Sequence, residues 1–324
     1  MTEATQLVSD LQLDCEGVEG AERLQSLSAV VEDYLLVWVL LSVGLGLTVT
    51  DIAAITDFST GILAVMIGSI SLTLSTRQFR QIDGRSVGLV LLGHATMPVL
   101  AFGIARRLGL SPELVVGFVV LGAVTPELVT PVMTELAGGD TALSTTALVV
   151  VGVGSLGFVP AVVTVLAGGV TVPTRPIVEQ LVVAMVVPML LAVGLRARWP
   201  ERVGAYDAHY PAVSATMVVL IIGGVTAANA AAIRSNIGLL PGVVAGVVAL
   251  NGLGYGTGYL VSYRAERATR IASVLSVGMR DFAVAAALVI AAGLPTIASL
   301  PAVVFGVVEM TTSAGLAKWF DRAG

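Results

Sequence analysis

The sequence predicts an all-α polytopic membrane protein of ten transmembrane helices, and three observations carry that fold class. Hydrophobic residues make up 56% of the 324 positions and charged residues 12%, with a mean hydropathy of +0.94. A soluble domain carries about twice that charge. The apolar residues gather into runs of the roughly 20 residues that a bilayer crossing needs, and charged or turn-forming clusters separate the runs.

The runs lie at about 34–50, 59–75, 86–105, 112–136, 142–168, 176–195, 210–230, 237–260, 268–293 and 295–318, to within about 2–4 residues. Arg77, Arg80, Asp83, Gly84 and Arg85 part the second from the third. Arg196, Arg198, Pro200, Glu201 and Arg202 part the sixth from the seventh, and Arg264, Glu266 and Arg267 precede the ninth. With the amino terminus inside, twelve of the Lys and Arg residues fall on inner segments and four (Arg106, Arg107, Arg175 and Arg234) on outer loops. Cytoplasmic loops hold the excess of positive charge, so both termini are expected in the cytoplasm.

Ten spans divide into five plus five. Because five is odd, the second set starts from the opposite side of the membrane, which makes two inverted five-helix repeats. The expected division is an acidic cytoplasmic tail at 1–33, a first repeat at 34–168 and a second at 174–320.

The tail more than accounts for the net charge of -5, since Glu3, Asp10, Asp14, Glu16, Glu19, Glu22, Glu32 and Asp33 face Arg23 alone there. Such a tail is a solvated arm with no affinity for nucleic acid, and it lacks the basic start of a signal peptide. The single cysteine, Cys15, excludes an internal disulfide framework, and two histidines, His94 and His209, are too few for a typical zinc or other transition-metal site. Sixteen arginines against one lysine fit a GC-rich, prokaryotic source.

The chemistry lies in two interrupted spans. The fourth reads Gly122-Ala-Val-Thr-Pro-Glu-Leu-Val-Thr-Pro-Val-Met133, with Glu127 between two prolines, and the ninth reads Ser276-Val-Gly-Met-Arg-Asp-Phe282. An ionised side chain at mid-membrane costs roughly 2.5–3.5 kcal/mol, so Glu127, Arg280 and Asp281 together cost about 10 kcal/mol. They are expected to face a cavity or one another. Glu127 reads as a static partner of Arg280 or as a proton-coupling carboxylate, and a nearby cation, which stabilises the ionised form, favours the static pair. Glu309 in the tenth span is equally a functional group and a helix-end group reaching water. His94 reads as a satisfied core histidine. Gly44, Gly46, Gly152, Gly154, Gly252, Gly254 and Gly256 read as points of close helix approach.

Several stretches resemble the bile acid:sodium symporter family. Met66-Ile-Gly-Ser-Ile-Ser-Leu-Thr-Leu-Ser75 with Gln78-Phe79, Pro112-Glu-Leu-Val-Val-Gly117, Val132-Met-Thr-Glu-Leu-Ala-Gly-Gly-Asp-Thr-Ala-Leu-Ser144, Val277-Gly-Met279 and Ala283-Val-Ala-Ala-Ala-Leu288 are similar to its motifs, in order. The resemblance spans nearly all of residues 34–320. It implies a panel domain from helices 1, 2, 6 and 7, a core domain from helices 3–5 and 8–10, and discontinuous helices four and nine crossing in the core. It also implies transport of an organic anion, from bile acids to smaller carboxylates, coupled to Na+ as the possible accompanying ion.

The resemblance puts the family's sodium-ligand positions on Thr130, Pro131, Ser144, Leu148, Ser276, Arg280, Asp281 and Gly93, with Val277 and Met279 completing a residual site of Thr130, Ser144, Ser276, Val277 and Met279. Most side-chain oxygens of the motif are replaced, and a guanidinium stands where one ligand is expected. Glu127, Thr130, Arg280, Asp281 and Glu309 are the expected substrate and coupling residues. The predicted function is cation-coupled secondary transport of a small organic anion through the plasma membrane, by a monomer or weak oligomer with no cofactor besides the coupling ion. Proton-coupled or uncoupled transport, a ligand-binding sensor without turnover, and an intramembrane enzyme using Glu127 and Asp281 as acid and base are the other classes.

Overall fold

The computed structural model describes residues 30, 34–74, 83–166, 172–235 and 237–322. Most of the acidic tail, Cys15, Arg77, Gln78, Phe79, Arg80 and the boundary expected near Gly168 lie outside these residues. The described residues are all-helical, with no strand among them. Eight helical segments are long and apolar enough to cross a membrane.

The chain opens with α1 (Leu35–Thr48), a 3-10 stretch (Thr50–Phe58) and α2 (Ser59–Ser71). The expected loop between the first two spans is therefore helical. Its residues, Thr-Asp-Ile-Ala-Ala-Ile-Thr-Asp-Phe, join α2 in one run of 22 residues. By contrast α1, at 14 residues, reaches about 21 Å at 1.5 Å per residue, short of a bilayer core of about 30 Å. The first expected span thus falls outside the eight.

The next helix, α3 (Gly84–Arg107), starts where Asp83 accepts the N–H groups of Arg85 and Ser86, which otherwise lack intrahelical partners. The fourth expected span is split into α4 (Pro112–Ala123) and the short α5 (Thr130–Leu136). After α6 (Thr141–Leu166) come α7 (Thr174–Leu181), a single π-helical turn at Val182–Val186 and α8 (Val187–Arg198), one continuous run of 25 residues. The wide turn lies just before Pro188, which cannot donate to the carbonyl four residues earlier and whose ring crowds it.

A short α9 (Pro200–Gly204) leads to α10 (Tyr210–Ser235), with Arg196 clamping Asp207 through two hydrogen bonds of 2.5 and 2.8 Å across the turn. The 3-10 turn Ile237–Leu239 enters α11 (Leu240–Val261). The ninth expected span is split into α12 (Arg267–Gly278) and α13 (Phe282–Ala291), and α14 (Leu300–Arg322) closes the chain.

Two packing groups are visible. In one, α10 lies along α1, the 3-10 stretch and α2, and α2 lies against α8. In the other, α11 packs on α12, α3 and α14, while α4 packs on α3 and α6. The α12–α13 run is 89% buried, against 33% for α3, so the broken helix occupies the centre of the bundle and not its lipid-facing rim.

Candidate functional site

Both breaks follow from local chemistry. Thr125 precedes Pro126, and a residue before proline is pushed out of the helical region. The chain is already extended at the α4 C-cap, Val124, with φ -67° and ψ 165°. It re-enters a helix at Thr130, where Pro131 occupies the first turn that tolerates proline.

At the second break, Met279 is extended with φ -81° and ψ 135°. Asp281 then starts α13 as its N-cap, its Oδ1 accepting the Val284 N–H at 2.9 Å. Gly278 just before this break is required sterically, since a β-carbon there would run into the ring of Tyr255.

The two breaks are bonded to each other. The Asp281 N–H donates to the Thr125 carbonyl at 3.0 Å. Arg280 reaches back with Nη1 to the Val124 carbonyl at 3.1 Å and with Nη2 to the Val277 carbonyl at 2.9 Å. The Glu127 carboxylate faces the N–H groups of Leu128 and Phe282.

Arg280 is fully buried and does not pair with a carboxylate. Among the described residues, the ion pairs within 4.0 Å are Arg175–Glu179 and Arg196–Asp207. The static Glu127–Arg280 pair expected from the sequence is therefore absent. Arg280 Nη1 instead meets His94 Nδ1. Because a guanidinium has no acceptor, Nδ1 carries the lone pair and the imidazole proton sits on Nε2. His94 is buried and hydrogen-bonded, as expected of a satisfied core histidine, and its partner Arg280 makes it part of the crossing.

Asp281, Glu127 and Glu309 are 0%, 5% and 1% exposed, so Glu309 does not reach water from the helix end. Glu127 lies within electrostatic reach of both Asp281 and Glu309. Of the ten buried side-chain N and O atoms without a partner among the described residues, six belong to His94, Glu127, Arg280, Asp281 and Glu309. Natively buried polar groups are nearly all satisfied, so this concentration makes the crossing the candidate functional site. The carboxylates do not form a metal-holding group of three among the described residues.

The residues expected to form a residual sodium site are distributed unevenly. Ser276 Oγ donates to Ser144 Oγ at 3.3 Å, joining α12 to α6. Thr130 Oγ1 turns back onto the Glu127 carbonyl at 2.5 Å. The Val277 carbonyl is taken by Arg280, and Met279 is buried at the break. Ser144 and Ser276 thus form one hydroxyl pair whose lone pairs suit a hard cation, whereas the carbonyls nearer the break already hold a guanidinium. The α13 N-terminus, which would otherwise offer free N–H groups to a substrate carboxylate, is capped by Asp281 itself.

A small crevice of about 10 Å³, room for about one water, lies beside the crossing. Ile67 and Ser71 of α2 and Met185 and Met189 line one side, with Thr125 and Asp281 at the crossing. Apolar walls with a few convergent polar groups are the make-up of a small-molecule site, and a carboxylate would need these walls to move apart.

Comparison with known proteins places this geometry among transporters. A family model described as the sodium bile acid symporter family matches residues 60–236, more than half of the chain. A protein described as an uncharacterized sodium-dependent transporter, YocS, from Bacillus subtilis (strain 168) is 26% identical over 298 residues, covering 88% of this chain and 90% of the relative.

Proposed function

Because this chain belongs to the sodium bile acid symporter family, we propose that it is a secondary transporter carrying a small organic anion across the plasma membrane by alternating access. The family is one of transporters, which supports transport over the acid–base enzyme reading. The observation that carries the proposal is the bonded crossing of two broken helices at the end of the crevice, since paired discontinuous helices at mid-membrane are where secondary transporters bind substrate and ions.

The architecture proposed for that cycle is ten spans in two inverted five-helix repeats. The α4–α5 and α12–α13 breaks fall in the fourth span of each half, and the two packing groups correspond to a panel and a core. Both termini are proposed to be cytoplasmic, from the distribution of Lys and Arg.

Substrate would enter between Met185 and Met189 on one side and Thr125 and Asp281 on the other. An anion arriving there meets Asp281, whose Oδ2 has no partner. Two like charges in a desolvated crevice repel strongly, so a cation or proton must accompany the anion, and this requirement is the physical basis of coupling. The name of the relative and the Ser144–Ser276 hydroxyl pair support sodium in that role. The unpartnered oxygens of Glu127, Asp281 and Glu309 support a proton as the second reading.

The deciding experiment is uptake of radiolabelled carboxylates into proteoliposomes under independently imposed sodium and proton gradients. Accumulation driven by an inward sodium gradient at equal pH supports sodium symport, and accumulation driven by a proton gradient without sodium supports the second reading. Saturable binding without counterflow of any carboxylate would overturn transport in favour of a sensor.

A further inference from the structure

We infer that the Arg280 guanidinium is a built-in cation, occupying a cation position made by the C-terminal ends of the two half-helices α4 and α12. The last carbonyls of a helix have no intrahelical donor, and its C-terminal end carries partial negative charge. At an ordinary membrane-helix end water or a headgroup satisfies them. Here both ends are buried at mid-bundle, where an unsatisfied carbonyl is costly.

The two carbonyls that Arg280 bridges are of this type. Val124 is the C-cap of α4, and Val277 lies in the last turn of α12. The N–H groups that would have continued each helix are directed elsewhere: that of Asp281 donates to Thr125, and that of Leu128 faces Glu127. The guanidinium fills the vacancy from both sides at 3.1 and 2.9 Å, with the His94 Nδ1 lone pair as a third acceptor.

Two carbonyl oxygens and an imidazole lone pair, at the negative ends of two helices, make an all-acceptor pocket selective for a positive charge. No carboxylate is within ion-pair distance of Arg280 among the described residues; Glu309 acts on it from farther away, and the groups in direct contact with the charge are the helix ends and His94. A guanidinium is planar, permanently charged and multidentate, which lets one side chain replace a mobile monovalent ion. One cation is therefore tethered to the chain and does not travel with substrate. That last consequence rests on the transport reading, and the tethered cation itself does not.

The test uses the purified full chain in detergent and reads the thermal unfolding midpoint at constant ionic strength, with choline, sodium or millimolar guanidinium chloride. Arg280→Ala opens the position, and Arg280→Lys keeps a tethered charge. The wild type and Arg280→Lys should not respond to guanidinium. Arg280→Ala should lose stability in choline and regain at least half of that loss in guanidinium, with a sodium response larger than that of the wild type.

The inference is overturned if Arg280→Ala responds to guanidinium and sodium no more than the wild type does, or if it cannot be recovered folded in any of the three salts while Arg280→Lys can. It is likewise overturned if both variants fail in all three. Because no transport is measured, failure of the transport reading leaves this outcome readable.

Discussion

The Asp281 N–H donates to the Thr125 carbonyl at 3.0 Å, so one helix break is bonded directly to the other. Neither segment can be displaced without breaking a desolvated backbone hydrogen bond, and the two breaks form one rigid crossing.

Asp281 has two functions that substitution separates. Its Oδ1 caps Val284, and its Oδ2 is unpartnered beside the crevice. Asp281→Ala should lower stability by about 0.5–2 kcal/mol, the usual cost of a lost N-cap, while Asp281→Asn retains the cap and most of the stability. In vesicles, Asp281→Asn should bind the anion with less dependence on the coupling ion. Thermal unfolding and ion-titrated uptake measure the two effects.

His94 accepts from Arg280 across 186 positions of sequence. His94→Phe leaves a buried charged donor short of an acceptor and should cost about 1–3 kcal/mol. His94→Gln, whose side-chain carbonyl supplies an acceptor, should recover part of that loss. Equal midpoints for the two variants would show that packing, and not the acceptor, matters at this position.

Gly278 leaves room for Tyr255, so Gly278→Ala should destabilise by about 1–3 kcal/mol, as overpacking does. Adding Tyr255→Ala removes the obstruction. The double variant should be more stable than the sum of the two single losses, a coupling read directly from a double-mutant cycle.

Glu309 is buried with neither carboxylate oxygen partnered. Glu309→Gln replaces a buried ionisable group with a neutral one of the same shape, without breaking a side-chain hydrogen bond, and should be at least as stable as the wild type. If Glu309 carries a coupled proton, uptake by this variant loses its response to an imposed proton gradient. An unchanged response would assign the residue no part in coupling.

At the N-terminus of α3, the Arg85 N–H holds the Asp83 carboxyl below the usual carboxylate range, helped by hydrogen bonds from Ser86. The ionised cap contributes stability that is fully present above the ordinary carboxylate pKa of about 3.9 and is lost as the pH falls through the lowered value. The protection factor in the first turn of α3, that is, exchange corrected for its pH-dependent intrinsic rate, should therefore fall on acidification below about pH 4 in the wild type. In Asp83→Ala it should be low throughout and unchanged over that window.

The breaks were legible because prolines and glycine announce themselves. Pro126 and Pro131 frame one, and Gly278 opens the other. Glu127, Arg280 and Asp281 were legible as polar groups that must be sheltered, and all three are buried at the crossing. Their pairing was not legible. Arg280 chose the carbonyls of Val124 and Val277, which every residue type possesses, so no letter marks them as acceptors. The partner of His94 was equally hidden, since a satisfied core histidine looks the same in the sequence whichever group it bonds. The 3-10 stretch Thr50–Phe58 was read as a loop because its polar residues interrupt the apolar pattern, although α10 packs against it.

The partners of Arg280 also fix an order of manufacture. His94, Val124 and Val277 all precede Arg280 in the chain. A ribosome working from the amino terminus has delivered His94 and Val124 to the membrane before the guanidinium leaves the exit tunnel, and Val277 arrives on the same segment as Arg280. A segment bearing a charge that lipid alone rejects can then pass from the translocon onto a waiting surface of finished helices, and moving Arg280 ahead of His94 and Val124 by circular permutation would leave it stranded.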